Sequence, residues 1–409
     1  MTTGSTSGYQ TRLIILLTLS FGIVFLDRNA FSYLAPFIAK ELQFNNTQIG
    51  LLTSALSFTW ALSAYLIGRL SDSTGKRKSL LLIAFVAFSL SSMLSGIAQT
   101  FAMLLTARLI MGFAEGPILP ISQSLVVLET TDSNRGNAMG IMQNFGSNFI
   151  GSFIAPLLVV AIATQWNWRI AFFVCAVPGL IVAALMTRYV REPQTPTLPA
   201  GESATMGVFA MLKVRNIWLC VLTCCAMVAW MVLGWAFLPL FYTGVRNMAP
   251  GQMSQLMSVL GISAAAFAFV VPRLSDRYGR RPVIVLFCLL GALVPLAALY
   301  YQGSTLVLGA LIFVGWSASG TMPLLMATIP AETLPLRYLA SATGLVVGLG
   351  EIIGGVSAPT LAGRAADLYG LQAPMYIQAG CAVLAALVAL GLKETAPARV
   401  GRTAVAAAA

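Results

Sequence analysis

The chain has 409 residues, 58% of them apolar and only 9% charged, with a mean hydropathy of +0.85. A soluble domain averages about 25% charged residues, so this composition excludes an ordinary globular enzyme and places most of the chain in lipid. The net charge of +11 could suit nucleic acid, but the basic residues form no patch or tail; they recur in short clusters between apolar runs, as cytoplasmic loops do.

The first eleven residues are polar and lack a signal-peptide cleavage pattern, so residues 1–11 read as a cytoplasmic tail. Apolar runs near the roughly 20 residues needed to cross a bilayer then follow at approximately 12–38, 47–69, 79–99, 102–128, 137–163 and 169–190. Residues 191–215, rich in Pro, Gly, Ser and Thr, read as a cytoplasmic linker between halves. Six more runs lie at 216–243, 253–273, 282–301, 304–329, 339–362 and 373–392, before a tail at 393–409. The domains are thus a first six-helix bundle over 12–190 and a second over 216–392. With the N-terminus inside, cytoplasmic segments hold eighteen of the 24 lysines and arginines and outer segments four, which predicts both termini inside. The expected location is the cell inner (plasma) membrane, multi-pass. The six cysteines fall in apolar runs and the chain has no histidine, so no metal site or cofactor is indicated.

Five ionisable residues remain at membrane depth: Asp27, Arg28, Arg108, Glu115 and Glu351. Each would cost roughly 2.5–3.5 kcal/mol at a lipid-facing helix centre, so they are expected to face protein or a wet cavity. At about 1.5 Å per residue, Asp27, Arg108 and Glu351 fall near one level. Glu115 lies two turns beyond Arg108 on one face of its helix. Asp27 and Arg28 point about 100° apart, so we expect Asp27 to pair with Arg108 while Arg28 reaches a central cavity. An arginine there suits a carboxylate, which it can bind bidentately. Without histidine, proton coupling through a side chain falls to Asp27, Glu115 or Glu351.

The chain repeats itself. "GRLSDSTGKRK" from Gly68 returns as "PRLSDRYGRRP" from Pro272; Asp72 and Asp276 are 204 residues apart, while Pro120 and Glu129 recur 203 residues on as Pro323 and Glu332. This repeat with twelve spans resembles the major facilitator superfamily, an all-α membrane fold of two pseudo-symmetric six-helix bundles. The resemblance implies alternating access around a site between the halves. Asp72 with Arg77, and Asp276 with Arg280, are candidates for a conformational latch.

"FLDRNAFSYLAPFI" in helix 1 and "ARLIMGFAEGPILP" in helix 4 further resemble the anion:cation symporter family, whose members include sugar-acid:proton symporters and relatives of sialin and the vesicular glutamate transporters. The resemblance implies protons on Asp27 and Glu115, substrate carboxylate on Arg28, and an organising role for Arg108. Two positions depart from the sugar-acid pattern. Glu351 stands where an asparagine is usual in helix 11, and Ser147, flanked by Asn144 and Asn148, stands where helix 5 usually carries glutamine. Glu351 could bind a proton or contact substrate.

The second half replaces the charges with aromatic and apolar groups. Trp230 and Trp235 in helix 7 and Trp316 in helix 10, with Tyr33 and Tyr65 from the first half, are candidate substrate contacts, though such rings more often serve packing. The expectation is a proton-coupled symporter importing a small organic anion, hydrophobic or aromatic rather than sugar-like. One twelve-span chain suffices as a monomer. The alternative is a proton-coupled exporter of drugs or metabolites, against which helix 5 lacks a Gly-Pro-x-x-Gly-Gly run. The Asn45-Asn46-Thr47 glycosylation sequon finds no use without a secretory host.

Overall fold

The computed structural model describes residues 7–129, 138–192, 208–335, 338–397 and 399. Among the described residues, twelve helices are long and apolar enough to span a membrane. In chain order they are α1 (Gly8–Leu42), α2 (Asn46–Ser71), α3 (Arg77–Gly96), α4 (Phe101–Glu129), α5 (Ala138–Gln165) and α6 (Trp168–Tyr189). The second set is α7 (Arg215–Gly244), α8 (Pro250–Tyr278), α9 (Arg280–Tyr300), α10 (Thr305–Thr333), α11 (Ser341–Tyr369) and α12 (Gln372–Ala389). All twelve expected spans form. Most of the linker expected at 191–215, and the loop holding Arg135, lie outside the described residues; a short helix, Val208–Leu212, precedes α7.

The start of α1 meets the end of α6 where Tyr9 Oη accepts from the Arg191 amide at 3.0 Å, and the start of α7 meets the end of α12 where Arg215 Nε donates to the Gly391 carbonyl at 3.0 Å. These four termini define the linker end of the molecule. At the opposite, far end, four helices carry caps of their own: Asn45, Thr100, Asn167 and Ser304 each accept a backbone N–H in the first turn of α2, α4, α6 and α10. At the linker end the caps come from a distance. The Glu192 carboxylate accepts the Lys78 and Ser79 amides at 2.9 and 3.3 Å, and Glu394 accepts those of Arg280 and Arg281 at 2.7 and 3.3 Å. The two halves thus use one device to close the first turns of α3 and α9.

The change of repeat offset has a local cause. Gly75 ends α2 in the left-handed region, φ 67°, and Lys76 intervenes before α3 begins at Arg77. Gly279, φ 104°, passes directly from α8 into α9 at Arg280. One fewer residue turns the offset of 204 into 203. Arg77 therefore corresponds to Arg280, and both are buried. The Asp72 side chain lies outside the described residues. In the second half Arg280 bonds Asp276 at 2.5 Å and Glu332 at 2.7 Å, tying α8, α9 and α10 together within that half.

Of three wide π-helical stretches among the described residues, Ile141–Ile154 in α5 and Glu351–Ser357 in α11 each end before an Ala-Pro pair, Ala155-Pro156 and Ala358-Pro359, and Leu324–Thr328 in α10 ends before Ile329-Pro330. Proline lacks an N–H and clashes with the preceding turn, and a widened turn is one way to absorb the lost bond. The packing is asymmetric from end to end. One core joins α1, α2 and α5 of the first half, through residues such as Phe31, Leu34, Leu52 and Val159, to the second half. Toward the linker end the first half has a separate core around Leu13, Phe85, Phe88 and Leu125. The halves are fused at the far end.

Candidate functional site

Asp27 is fully buried on α1. Its Oδ1 accepts the Ser92 hydroxyl of α3 at 2.8 Å, while Oδ2 has no hydrogen-bond partner among the described residues. The same hydroxyl lies 3.0 Å from the Phe172 carbonyl of α6. A serine has one hydrogen to give, so Ser92 serves one acceptor at a time.

The ion pair expected between Asp27 and Arg108 does not form. Arg108 lays its guanidinium over the Phe31 ring at 4.7 Å and donates at 3.4 Å to the Arg28 carbonyl and to Met111 Sδ. The reason is rotational. Asp27 points at α3 and α6, whereas Arg108 meets the face of α1 that carries the Arg28 carbonyl and Phe31. The two residues are at one level, as the rise per residue predicted, but on different faces. Glu115, two turns farther along α4, is 1% exposed and neither of its carboxylate oxygens has a hydrogen-bond partner among the described residues.

Arg28 is half-buried and makes no ion pair among the described residues. Its guanidinium sits 5.2 Å from the Trp60 ring and 5.8 Å from Phe25, close enough for cation–π attraction. It lines a small cavity of about 40 Å³ between the halves, with Ser32, Thr53, Ser57, Arg108 and, from the second half, Val232 and Trp235. Ligand sites usually run to about 300–1,000 Å³, so this space is a polar nook and not the whole of a substrate site. Next to Arg28, Asn29 donates to the Gly151 carbonyl of α5 at 3.0 Å and fixes the rotation of α1.

Glu351 begins the widened turn of α11. Its carboxylate lies over Gly355, where an added Cβ would come within 2.7 Å of Oε2, and Ser57 of α2 faces the same glycine. Arg28 lies within electrostatic reach of both Glu351 and Glu115. The five intramembrane charges therefore form one neighbourhood, four from the first half and one from the second.

The remaining candidates scatter. Asn144, Ser147 and Asn148 are half-buried on α5, and Ser147 turns its hydroxyl back to the Gln143 carbonyl at 2.6 Å. Tyr33, Trp230 and Trp316 are wholly enclosed and do not reach the cavity in this conformation. Tyr65 is 65% exposed on α2. Of the aromatic candidates, Trp235 does line the nook, and its indole N–H has no partner. Sequence reasoning missed Ser92, Asn29, Thr53, Ser57 and Trp60. The run "SLSSMLSG" in α3 was a usable signal for Ser92, because buried hydroxyls in an apolar span mostly bond to polar partners.

The family model described as Major Facilitator Superfamily matches residues 17–347 and 219–408. The probable 4-methylmuconolactone transporter of Cupriavidus pinatubonensis is 26% identical over 80% of this chain and 77% of its own. The 3-(3-hydroxy-phenyl)propionate transporter of Escherichia coli is 28% identical over 94% of this chain and 96% of its own. The multidrug resistance protein MdtG of Serratia proteamaculans is 26% identical over 87% of this chain and 88% of its own. Among solved structures, a D-xylose-proton symporter superposes with a TM-score of 0.80 at 16% identity, covering 95% of this chain and 99% of that one. The two relatives named for organic acids fit a transporter of the anion:cation symporter type. With twelve spans, a duplicated bundle and a buried charge cluster between the halves, the chain belongs to the Major Facilitator Superfamily and is a multi-pass transporter of the inner membrane.

Proposed function

We propose that this protein imports a small organic carboxylate, aromatic or otherwise hydrophobic, together with protons. The observation that carries the reading is Arg28: a guanidinium without an ion-pair partner among the described residues, at the junction of the halves, flanked by Trp60 and Trp235. A planar fork suits a carboxylate, and the rings suit an apolar body. The relatives named for an aromatic acid and a muconolactone support the same class.

Asp27 and Glu115 are the proposed proton carriers, since Asp27 keeps one carboxylate oxygen and Glu115 keeps both without donors among the described residues. When Asp27 is ionised, Ser92 donates to it. When Asp27 holds a proton, Ser92 can turn to the Phe172 carbonyl and accept from the acid, so one hydroxyl registers the protonation state. In the cycle, protons enter with the substrate, and the neutralised cavity lets the halves rock. Importing a monoanion against a negative interior costs about 2.3 kcal/mol per charge per 100 mV. Two protons per anion reverse that sign, and two carriers are present. The excess of lysine and arginine at the linker end orients that end to the cytoplasm. The conformation, fused at the far end, is then inward-facing, and the protein acts as a monomer.

Proteoliposomes carrying an inward proton gradient and a mass-resolved pool of sugar, aliphatic and aromatic acids provide the test. Accumulation of an aromatic acid that collapses with a protonophore is expected. Proton-driven drug uptake into inverted vesicles, with no acid accumulated, would overturn the reading in favour of the exporter that the MdtG likeness represents.

A further inference from the structure

At the far end, α2 and α11 approach closely enough that side chains are excluded. A Cβ on Gly50 would meet the Pro359 carbonyl oxygen at 2.1 Å, and one on Gly363 would meet that of Asn46 at 2.3 Å. The Ser54 and Thr360 hydroxyls share a bond of 2.8 Å across this contact. Above it, one carboxylate takes four hydrogen bonds. Asp367 Oδ1 accepts from the Asn46 backbone and side-chain amides at 2.8 and 3.0 Å, and Oδ2 accepts from the Thr47 amide and hydroxyl at 2.9 and 2.5 Å.

The first donors of a helix have no partner within it. In α2 the Gln48 amide is capped from its own chain by Asn45, while the Asn46 and Thr47 amides are capped by a residue more than 300 positions away in the other half. An acidic group at that place also meets the positive end of the helix. The pattern explains the Asn-Asn-Thr sequence in structural terms: every member of it bonds. In the pseudo-symmetric contact between α8 and α5, Gly261 packs on Ser152 and Phe153 backbone, but α8 opens on Pro250, which has no amide hydrogen to offer a carboxylate. The device belongs to one side of the molecule.

We propose that Asp367 is a positioning residue of the transport cycle, a cap lent by the second half to the first that holds the far end shut and must release α2 each time that end opens. Water takes over the freed donors after release, so the cap biases the equilibrium without locking it.

A reporter cysteine at Thr53, on the nook wall six residues below Thr47 and so about 9 Å deeper, tests this. Cys381, the native cysteine that is not buried, is replaced by serine. A membrane-impermeant maleimide is added to intact cells, and labelling is measured per folded molecule. Losing a cap typically shifts an equilibrium by about tenfold, so Asp367→Asn is expected to speed labelling by roughly that factor. Gly363→Ala, which forces the contact apart without touching charge, should do the same. Thr47→Val should give a smaller increase, and none when added to Asp367→Asn. Parental labelling rates in both Asp367→Asn and Gly363→Ala would overturn the proposal. A merely structural Asp367 would lower the amount of protein and leave the rate per folded molecule unchanged. Acceleration seen only in inverted vesicles would support the cap while reversing the sides assigned above. The labelling needs no substrate, so its result is separable from the choice of cargo.

Discussion

The same three-helix junction occurs once in each half, and the two are filled by opposite chemistry. In the first half it is held by Asp27 of α1, bonded to Ser92 of α3, whose hydroxyl also reaches the Phe172 carbonyl of α6. The repeat offset of 203–204 brings Asp27 onto Trp230 or Met231 of α7, and there the junction is filled by Trp230. Its indole donates to the Gly291 carbonyl of α9 at 3.0 Å, and its own carbonyl accepts Gln378 of α12 at 2.9 Å. Trp316 packs on it at 4.5 Å between ring centroids. A duplicated fold has kept the junction and divided the work. One copy holds a small group that can gain and lose a proton; the other holds a large ring that can do neither. In the proposed cycle the second half is the wall against which the first half changes charge.

The predictions attack that division. Trp230→Ala should cost about 3–5 kcal/mol of stability, the usual range for emptying a large aromatic site, read as a fall in thermal unfolding temperature of the purified protein. Asp27→Asn, which can still bond Ser92, should leave that temperature near wild type. If the two variants destabilise equally, the junctions are structural in both halves and the comparison fails.

Arg28→Ala should reduce substrate binding by about 100-fold, the loss of a charge-assisted pair, measured by direct binding to protein in detergent. Unchanged affinity would move the anion site away from the first half. Asp27→Asn and Glu115→Gln should spare exchange of substrate between equal pools while removing uphill accumulation in a proton gradient. Wild-type accumulation by the double variant would sink proton carriage by these acids.

Trp235→Ala, at the wall of the nook, should weaken aromatic acids by about fivefold relative to short aliphatic ones, in keeping with roughly 1 kcal/mol for a ring contact. Equal loss for both classes would mean the ring shapes the cavity without reading the cargo. The smallest effect is expected from Ser92→Ala, about 1 kcal/mol for one hydrogen bond, accompanied by reduced accumulation per proton gradient. Loss of stability alone, with coupling intact, would leave Asp27 insensitive to its hydroxyl partner.

Much of this was legible in the chain itself. The twelve spans, the duplicated halves and the five intramembrane charges follow from quantities each residue carries alone: apolar transfer energy, charge, and position along a helix of fixed rise. The level shared by Asp27 and Arg108 came from the same arithmetic. Which residue each one touches did not. Asp27 meets Ser92 and not Arg108 because α1 is rotated, with Asn29 bonded to Gly151, and rotation about a helix axis is decided by neighbours distant in sequence. The enclosure of Trp230 and Trp316, expected at the cavity, has the same origin. Asp367 is the plainest case. In the sequence it is one acid near the end of an apolar run, and only the packing of α11 against α2 brings it to the amides it caps. Local chemistry determined what could be buried and where along the membrane normal; the contacts between helices decided what each buried group bonds to, because that depends on the relative rotation of segments hundreds of residues apart.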